Sequence, residues 1–220
     1  MKIGILGTGI VGETIATALV EKGHQVIMGS RTSTNEKAIA WVQKKGANAS
    51  NGTFEDAVKF ADIIFICLNG AIINEALQQA GVHHFKGKTV IDLTNPLDFS
   101  KGMPPSLIPK FSNTYSLGEE IQSILNDAHV VKALNTVNCK LMVDANLVNN
   151  GNHNLFICGN DIEAKNIVKH LLAENFNWKP ENIVDLGDIK SARLTEAMIP
   201  FWVGVMQVLG TPLFNYQIVK

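Results

Sequence analysis

Three glycines, Gly7, Gly9 and Gly12, stand in G-x-G-x-x-G spacing within "GTGIVG", directly after the apolar run "KIGIL" and at the head of a segment with helical apolar spacing. In that context the first glycine permits a tight turn and the second lets the backbone approach a diphosphate. The third lets helix and strand pack closely. The helix amino terminus adds unpaired amides and a partial positive charge suited to an anion. A second stretch, "VIMGSRT" from Val26 to Thr32, closes the next apolar run. Dinucleotide sites of this type often place an acid there, about 20 residues beyond the glycines, to bind the adenosine ribose. This chain has Gly29, Ser30 and Arg31 instead. A guanidinium with hydroxyls from Ser30 and Thr32 beside it suits phosphate oxygens, and Gly29 removes the repulsion an acid would bring. The expected cofactor is NADP(H).

The elements around these residues alternate. Runs at Lys2–Leu6, His24–Gly29, Asn48–Ser50, Asp62–Leu68, Lys88–Leu93 and His129–Leu134 read as strands; Val11–Val20, Thr34–Lys45, Phe54–Phe60, Ala71–Ala80 and Gly118–Leu125 read as helices. Thr53 followed by Asp56 forms a capping-box pattern. Ile39, Trp41 and Val42 are the expected buried stripe of the second helix. The alternation predicts an α/β fold, a Rossmann doubly wound parallel sheet. After Asn135 the pattern loosens into "NLFIC", a helix over Ile162–Leu172, "NIVDL" and a terminal helix over Ser191–Leu209. This predicts a nucleotide domain over 1–137 and a small C-terminal α/β domain over 138–220. The proline-rich segment 96–109 is the expected ligand-side loop.

Composition excludes several classes. With 220 residues, 19 basic against 20 acidic and no run of like charge, nothing marks a nucleic-acid or membrane surface. No signal-like segment opens the sequence, so a cytoplasmic location is expected. The terminal apolar segment is about half a bilayer span. Cys67 and Cys158 fall in strand-like runs and read as buried hydrophobes, and no cysteine pair has C-x-x-C spacing. His83, His84 and His153 have no metal-ligand spacing and read as loop residues, so no metal site is expected.

"GTGIVGETIATALVEKGHQVIMGSRT", "KALNTV", "CGNDIEAKNIVKHLL" and "ARLTEAMIPFWVGVMQVLG" together resemble the NADP oxidoreductases that use coenzyme F420, an 8-hydroxy-5-deazaflavin. The cytosolic domain of the six-transmembrane metalloreductases is similar. The resemblance implies a Rossmann domain for NADP, a small second domain and a cleft where the nicotinamide faces a flavin-like ring. Carried over by motif, Thr8, Ile10 and Val11 line the diphosphate loop, and Ser30, Arg31 and Thr32 the 2′-phosphate. Leu68, Asn69 and Gly70 approach the ribose, while Asn95, Pro96, Ala133, Asn135 and Thr136 surround the nicotinamide. The archaeal deazaflavin enzymes carry histidine where this chain has Asn135.

Direct hydride exchange between stacked rings asks for alignment and exclusion of water, so no obligatory acid or base is expected. Asn135 is the expected positioning residue. Two alternatives stay open: an NADPH-dependent reductase of a small carbonyl or imine, and a non-catalytic NADP(H) sensor. Ile199, Phe201, Trp202, Val205, Met206 and Leu209 form an apolar surface on the terminal helix, and a homodimer is expected.

Overall fold

The computed structural model describes residues 1–219. The chain begins with strand β1 (Lys2–Leu6), helix α1 (Ile10–Glu21), β2 (Gln25–Ser30), α2 (Glu36–Lys45), β3 (Ala49–Thr53), α3 (Phe54–Phe60) and β4 (Ile63–Ile66). It continues with α4 (Ile73–Ala80), β5 (Thr89–Asp92), α5 (Leu117–Ile124) and β8 (His129–Lys132), with a two-residue hairpin, β6 (Leu97–Asp98) and β7 (Ser106–Leu107), between β5 and α5. The last third holds α6 (Cys139–Val143), β9 (Leu155–Gly159), α7 (Ile162–Phe176), β10 (Ile183–Asp185) and α8 (Ala192–Leu209).

Eight strands form one sheet in the order β10-β9-β8-β5-β4-β1-β2-β3. All neighbouring pairs are parallel except β8 with β9, where Val131 faces Gly159 and Lys132 faces Cys158. The strands are covered on both faces, which is why their sequences are almost continuously apolar. Side chains alternate between two cores: Ile3, Ile5, Phe65, Ile91 and Val131 point to the face of α1, α2 and α7, while Ile64, Ile66, Val90 and Val130 point to the face of α3, α4 and α5. The Thr53–Asp56 capping box forms, Asp56 N donating to Thr53 Oγ1 at 3.1 Å and Thr53 N to Asp56 Oδ2 at 2.9 Å.

Several expectations change on the structure. The residues after 137 do not build a sheet of their own: β9 and β10 extend the first one, and Leu155, Val168, Phe176 and Trp178 share a core with Ile3 and Trp41. Segment 96–109 carries the β6–β7 hairpin, and α7 runs one turn further than Leu172. On α2 the buried residues are Ala38 and Trp41, while Ile39 is exposed. His153 lies in the loop before β9 and is buried there: Nε2 lies 2.9 Å from Ala145 O, and Nδ1 faces Asn215 Nδ2 at 2.8 Å. On α8, Ile199 and Val203 are buried, whereas Phe201 and Leu209 are exposed. Among the described residues no helix is long and apolar enough to cross a membrane.

The shared core makes a specific expectation. Leu155→Ala on β9 costs about 2–5 kcal/mol and lowers a single transition seen equally by both buried tryptophans, Trp41 in α2 and Trp178 after α7. A separate early transition for the C-terminal third, resolved with single-tryptophan variants, would contradict it.

Candidate functional site

The sheet reverses its winding beside β1, with β2 and β3 to one side and β4, β5 and β8 to the other. Ligands of open α/β sheets bind at the carboxyl ends of strands at such a point. Gly7 leaves β1 with φ 125°, and a Cβ there would lie 2.4 Å from Cys67 O. A Cβ on Gly12 would lie 2.2 Å from Gly7 O, so the turn and the helix can only approach this closely without side chains. Around Gly9 there is nothing within 4 Å of the same position, and no side chain caps α1. The amides of the first turn therefore face open space at the positive end of a twelve-residue helix.

A cavity of about 510 Å³ opens over this turn. It brings together eight residues predicted from sequence, Gly7, Thr8, Gly9, Ser30, Arg31, Thr32, Leu68 and Asn69, and adds Asn35, Phe54, Cys67 and Ile72. Arg31 and Thr32 are exposed at its rim, and Arg31 makes no ion pair among the described residues. Ser30 is buried, its hydroxyl donating to Thr32 O at 2.6 Å, which holds the turn that presents Arg31. Gly29 has a steric duty beyond the absent repulsion: a Cβ there would lie 2.9 Å from Ala57 Cβ and 3.1 Å from Thr53 O. The end of β2 seats directly on α3, and an acid has no room. Burial raises the Cys67 thiol far out of the thiolate range and pushes Cys158 up to about 12, so neither is a nucleophile near neutral pH.

The other predicted residues do not line that cavity. Ile10 and Val11 sit on the first turn of α1, Ile10 with its side chain exposed. Gly70 is buried behind the cavity, where a Cβ would lie 2.6 Å from Asn95 O and from Leu117 Cδ2. Asn95 and Asn135 form a reciprocal pair. Asn95 Nδ2 donates to Asn135 O and Asn135 Nδ2 donates to Asn95 Oδ1, both at 2.9 Å, which fixes both amide orientations. Asn135 Oδ1 is then left buried with no hydrogen-bond donor. Leu134, just before it, has φ 64°, a left-handed conformation that costs a non-glycine residue about 1–3 kcal/mol and that tertiary structure must impose. Ala133, Thr136 and Pro96 are buried around the pair.

Beneath the pair lies a group that the sequence reading missed. Lys132, Asp92 and Glu196 are all fully buried. Lys132 Nζ lies 2.9 Å from Asp92 Oδ2 and 2.8 Å from Glu196 Oε1, and donates to Thr94 O at 2.6 Å. Burial works against the ammonium, but the two carboxylates overcome it and hold the Lys132 pKa above its ordinary value. Glu196, on α8, also accepts from Leu117 N and Gly118 N at 2.9 Å each, capping α5 from another element. Arg193 adds a second tie to α5 through Glu119. No group of three or more potential metal ligands occurs among the described residues.

A glycine turn under an uncapped helix at the reversal of a parallel sheet, with a free guanidinium at its edge, defines the class of Rossmann dinucleotide-binding proteins. Comparison with known proteins narrows this. The family described as "NADP oxidoreductase coenzyme F420-dependent" matches residues 2–96. An F420-dependent NADP reductase from Methanocaldococcus jannaschii is 30% identical over 93% of this chain and 92% of its own length. Metalloreductase STEAP3 of Rattus norvegicus is 29% identical over 91% of the chain, which spans only 38% of that relative. A crystal structure of a proposed F420-dependent NADP reductase from Arthrobacter sp. FB24 superposes with a TM-score of 0.93 at 40% identity, covering 100% of both chains. The chain belongs to the family of F420-dependent NADP oxidoreductases, and it is an NADP-dependent oxidoreductase. The fold alone is shared with an Aspergillus terreus reductive aminase crystallised with NADPH (TM-score 0.66, 20% identity).

The packing of β2 on α3 yields a prediction. Gly29→Asp does not convert the protein to NADH; it loses about 1–3 kcal/mol of stability through overpacking, read as a lower Tm by circular dichroism. A variant with the wild-type Tm and a preference for NADH would contradict the steric account.

Proposed function

We propose that the protein exchanges hydride between NADPH and a flavin-like or deazaflavin acceptor. The observation that carries this reading is the buried, donorless Oδ1 of Asn135, oriented by Asn95. It suits an amide N–H of the nicotinamide carboxamide, at the far end of a dinucleotide that starts on the Gly7–Gly12 turn. An open Gly9, the uncapped α1 and the unpaired Arg31 fit a diphosphate and a 2′-phosphate in the same sense. Leu68, Asn69 and Gly70 connect the two ends, because Gly70 packs on Asn95.

When bound, the cofactor supplies the hydride from its nicotinamide ring. The chain's own residues have a geometric task. Ser30, Arg31 and Thr32 anchor the adenosine end, and the Asn95–Asn135 pair fixes the rotation of the reacting end. Ala133, Pro96 and Thr136 keep water from it. No proton carrier is needed beside the pair, and Lys132 is saturated by Asp92, Glu196 and Thr94 O. Exposed Phe99 and Met103, between β6 and β7, offer apolar cover for a second ring. In this reading residues 138–220 complete the acceptor side, and the exposed apolar residues of α8, Phe201, Val208 and Leu209, serve a homodimer contact.

Two measurements test this. Mixed with NADPH and, in turn, deazaflavin, FMN, FAD and riboflavin, the protein is expected to bleach the nicotinamide absorbance with at least one ring acceptor. Oxidation by none of them, with turnover of a carbonyl or imine, would overturn the acceptor assignment. Arg31→Ala is expected to weaken NADPH binding by about tenfold to a hundredfold while leaving NADH nearly unchanged. Equal losses, measured by titration calorimetry, would remove the 2′-phosphate role.

A further inference from the structure

The buried cluster under Asn95 and Asn135 sets two carboxylates against one ammonium. Every other recorded partner of the carboxylate oxygens is a donor: Thr94 N and Oγ1 at Asp92 Oδ1, and Leu117 N and Gly118 N at Glu196. Among the described residues only the Thr94 hydroxyl, at Asp92 Oδ1, could accept a carboxylic proton, and that oxygen already takes Thr94 N at 2.8 Å. The cluster therefore holds one net negative charge, offset in part by the amino end of α5. All three side chains are fully buried, so water screens it little. An unbalanced charge is costly to bury, and this one is tied to the residue before Asn95. Lys132 Nζ bonds Thr94 O, the neighbour of Asn95, and Lys132 leads through strained Leu134 to Asn135. A second observation points to a ligand at the same place: Asn135, only 3% exposed, has its Oδ1 without a donor.

We propose that the Asp92–Lys132–Glu196 cluster tunes the redox balance of the bound nicotinamide, its surplus negative charge favouring the cationic oxidised ring over the neutral reduced one. This rests on the reading that the nicotinamide sits beside Asn95 and Asn135. Hydride departure breaks one C–H bond of the reduced ring and forms one on the flavin-like acceptor. The two electrons travel with the hydrogen, the acceptor is reduced, and the donor ring goes from neutral to singly positive. A fixed negative charge beneath the ring stabilises the charge that develops. Glu196 touches neither ring and acts through the field, as a positioning residue that also anchors α5.

The test compares Kd for NADP+ and NADPH in the wild type, Glu196→Gln, Asp92→Asn and Glu196→Asp, with 2′,5′-ADP, which lacks the nicotinamide, as a probe of an intact adenosine site. Each neutral variant is expected to weaken NADP+ relative to NADPH by about tenfold, the scale of one charge at a typical protein dielectric. Glu196→Asp keeps the wild-type ratio, and 2′,5′-ADP binds all four alike. An unchanged ratio in a neutral variant that still binds 2′,5′-ADP overturns the proposal. So does loss of 2′,5′-ADP binding in both neutral variants, which would assign the carboxylates to holding the fold. A wild type that binds neither NADP+ nor NADPH would instead sink the functional reading itself, before any variant is made.

Discussion

The ammonium of Lys132, enclosed between Asp92 and Glu196, is the interaction on which the rest of the site depends. It joins the carboxyl ends of two adjacent central strands, β5 and β8, to the terminal helix, which in turn caps α5. Removing Lys132 would leave two uncompensated carboxylates in a water-free place, against a loss of about 3–5 kcal/mol for breaking a simple buried pair. The backbone that carries Asn95 and Asn135 therefore has little freedom to drift. A left-handed Leu134 can be held only in such a frame.

The turn after β1 and the end of β2 are built on another principle. Here the constraint is backbone proximity: Gly7 against Cys67, Gly12 against Gly7, and Gly29 against α3. The first two contacts shape the turn at the amino end of α1. The third couples the residue before Ser30 and Arg31 to the packing of a helix. Arg31 itself stays exposed and unpaired, the condition in which a guanidinium loses least by binding a phosphate.

Much of this was legible from residue types. The glycine spacing, the "GSR" end of β2 and the apolar strand runs follow from local rules, and each recurs in the fold. What escaped has physical reasons. Glu196 is not singled out, because nothing nearby in sequence reveals the lysine it meets across 64 positions. Asn35, Phe54 and Ile72 reach the cavity from three different connections, which no single motif spans. The direction of β9 is not encoded in its apolar pattern, so residues after 137 looked like a separate unit while they extend the sheet. On α2, Ala38 stands three positions before buried Trp41 and shares its face, whereas Ile39, two positions before it, does not.

The reversed direction of β9 has a practical consequence. Since β9 runs against β8, its first residues lie at the same edge of the sheet as the Asn95–Asn135 pair, and the segment after α8 returns there. Asn154 N donates to Tyr216 O at 2.9 Å and Ile218 N to Asn154 Oδ1 at 2.6 Å. Met1, by contrast, precedes β1 at the opposite edge. Immobilising the molecule on an electrode or bead through the edge where β1 starts leaves the edge that carries the Asn95–Asn135 pair turned to solution. A tether beside Asn154 presses that edge against the support.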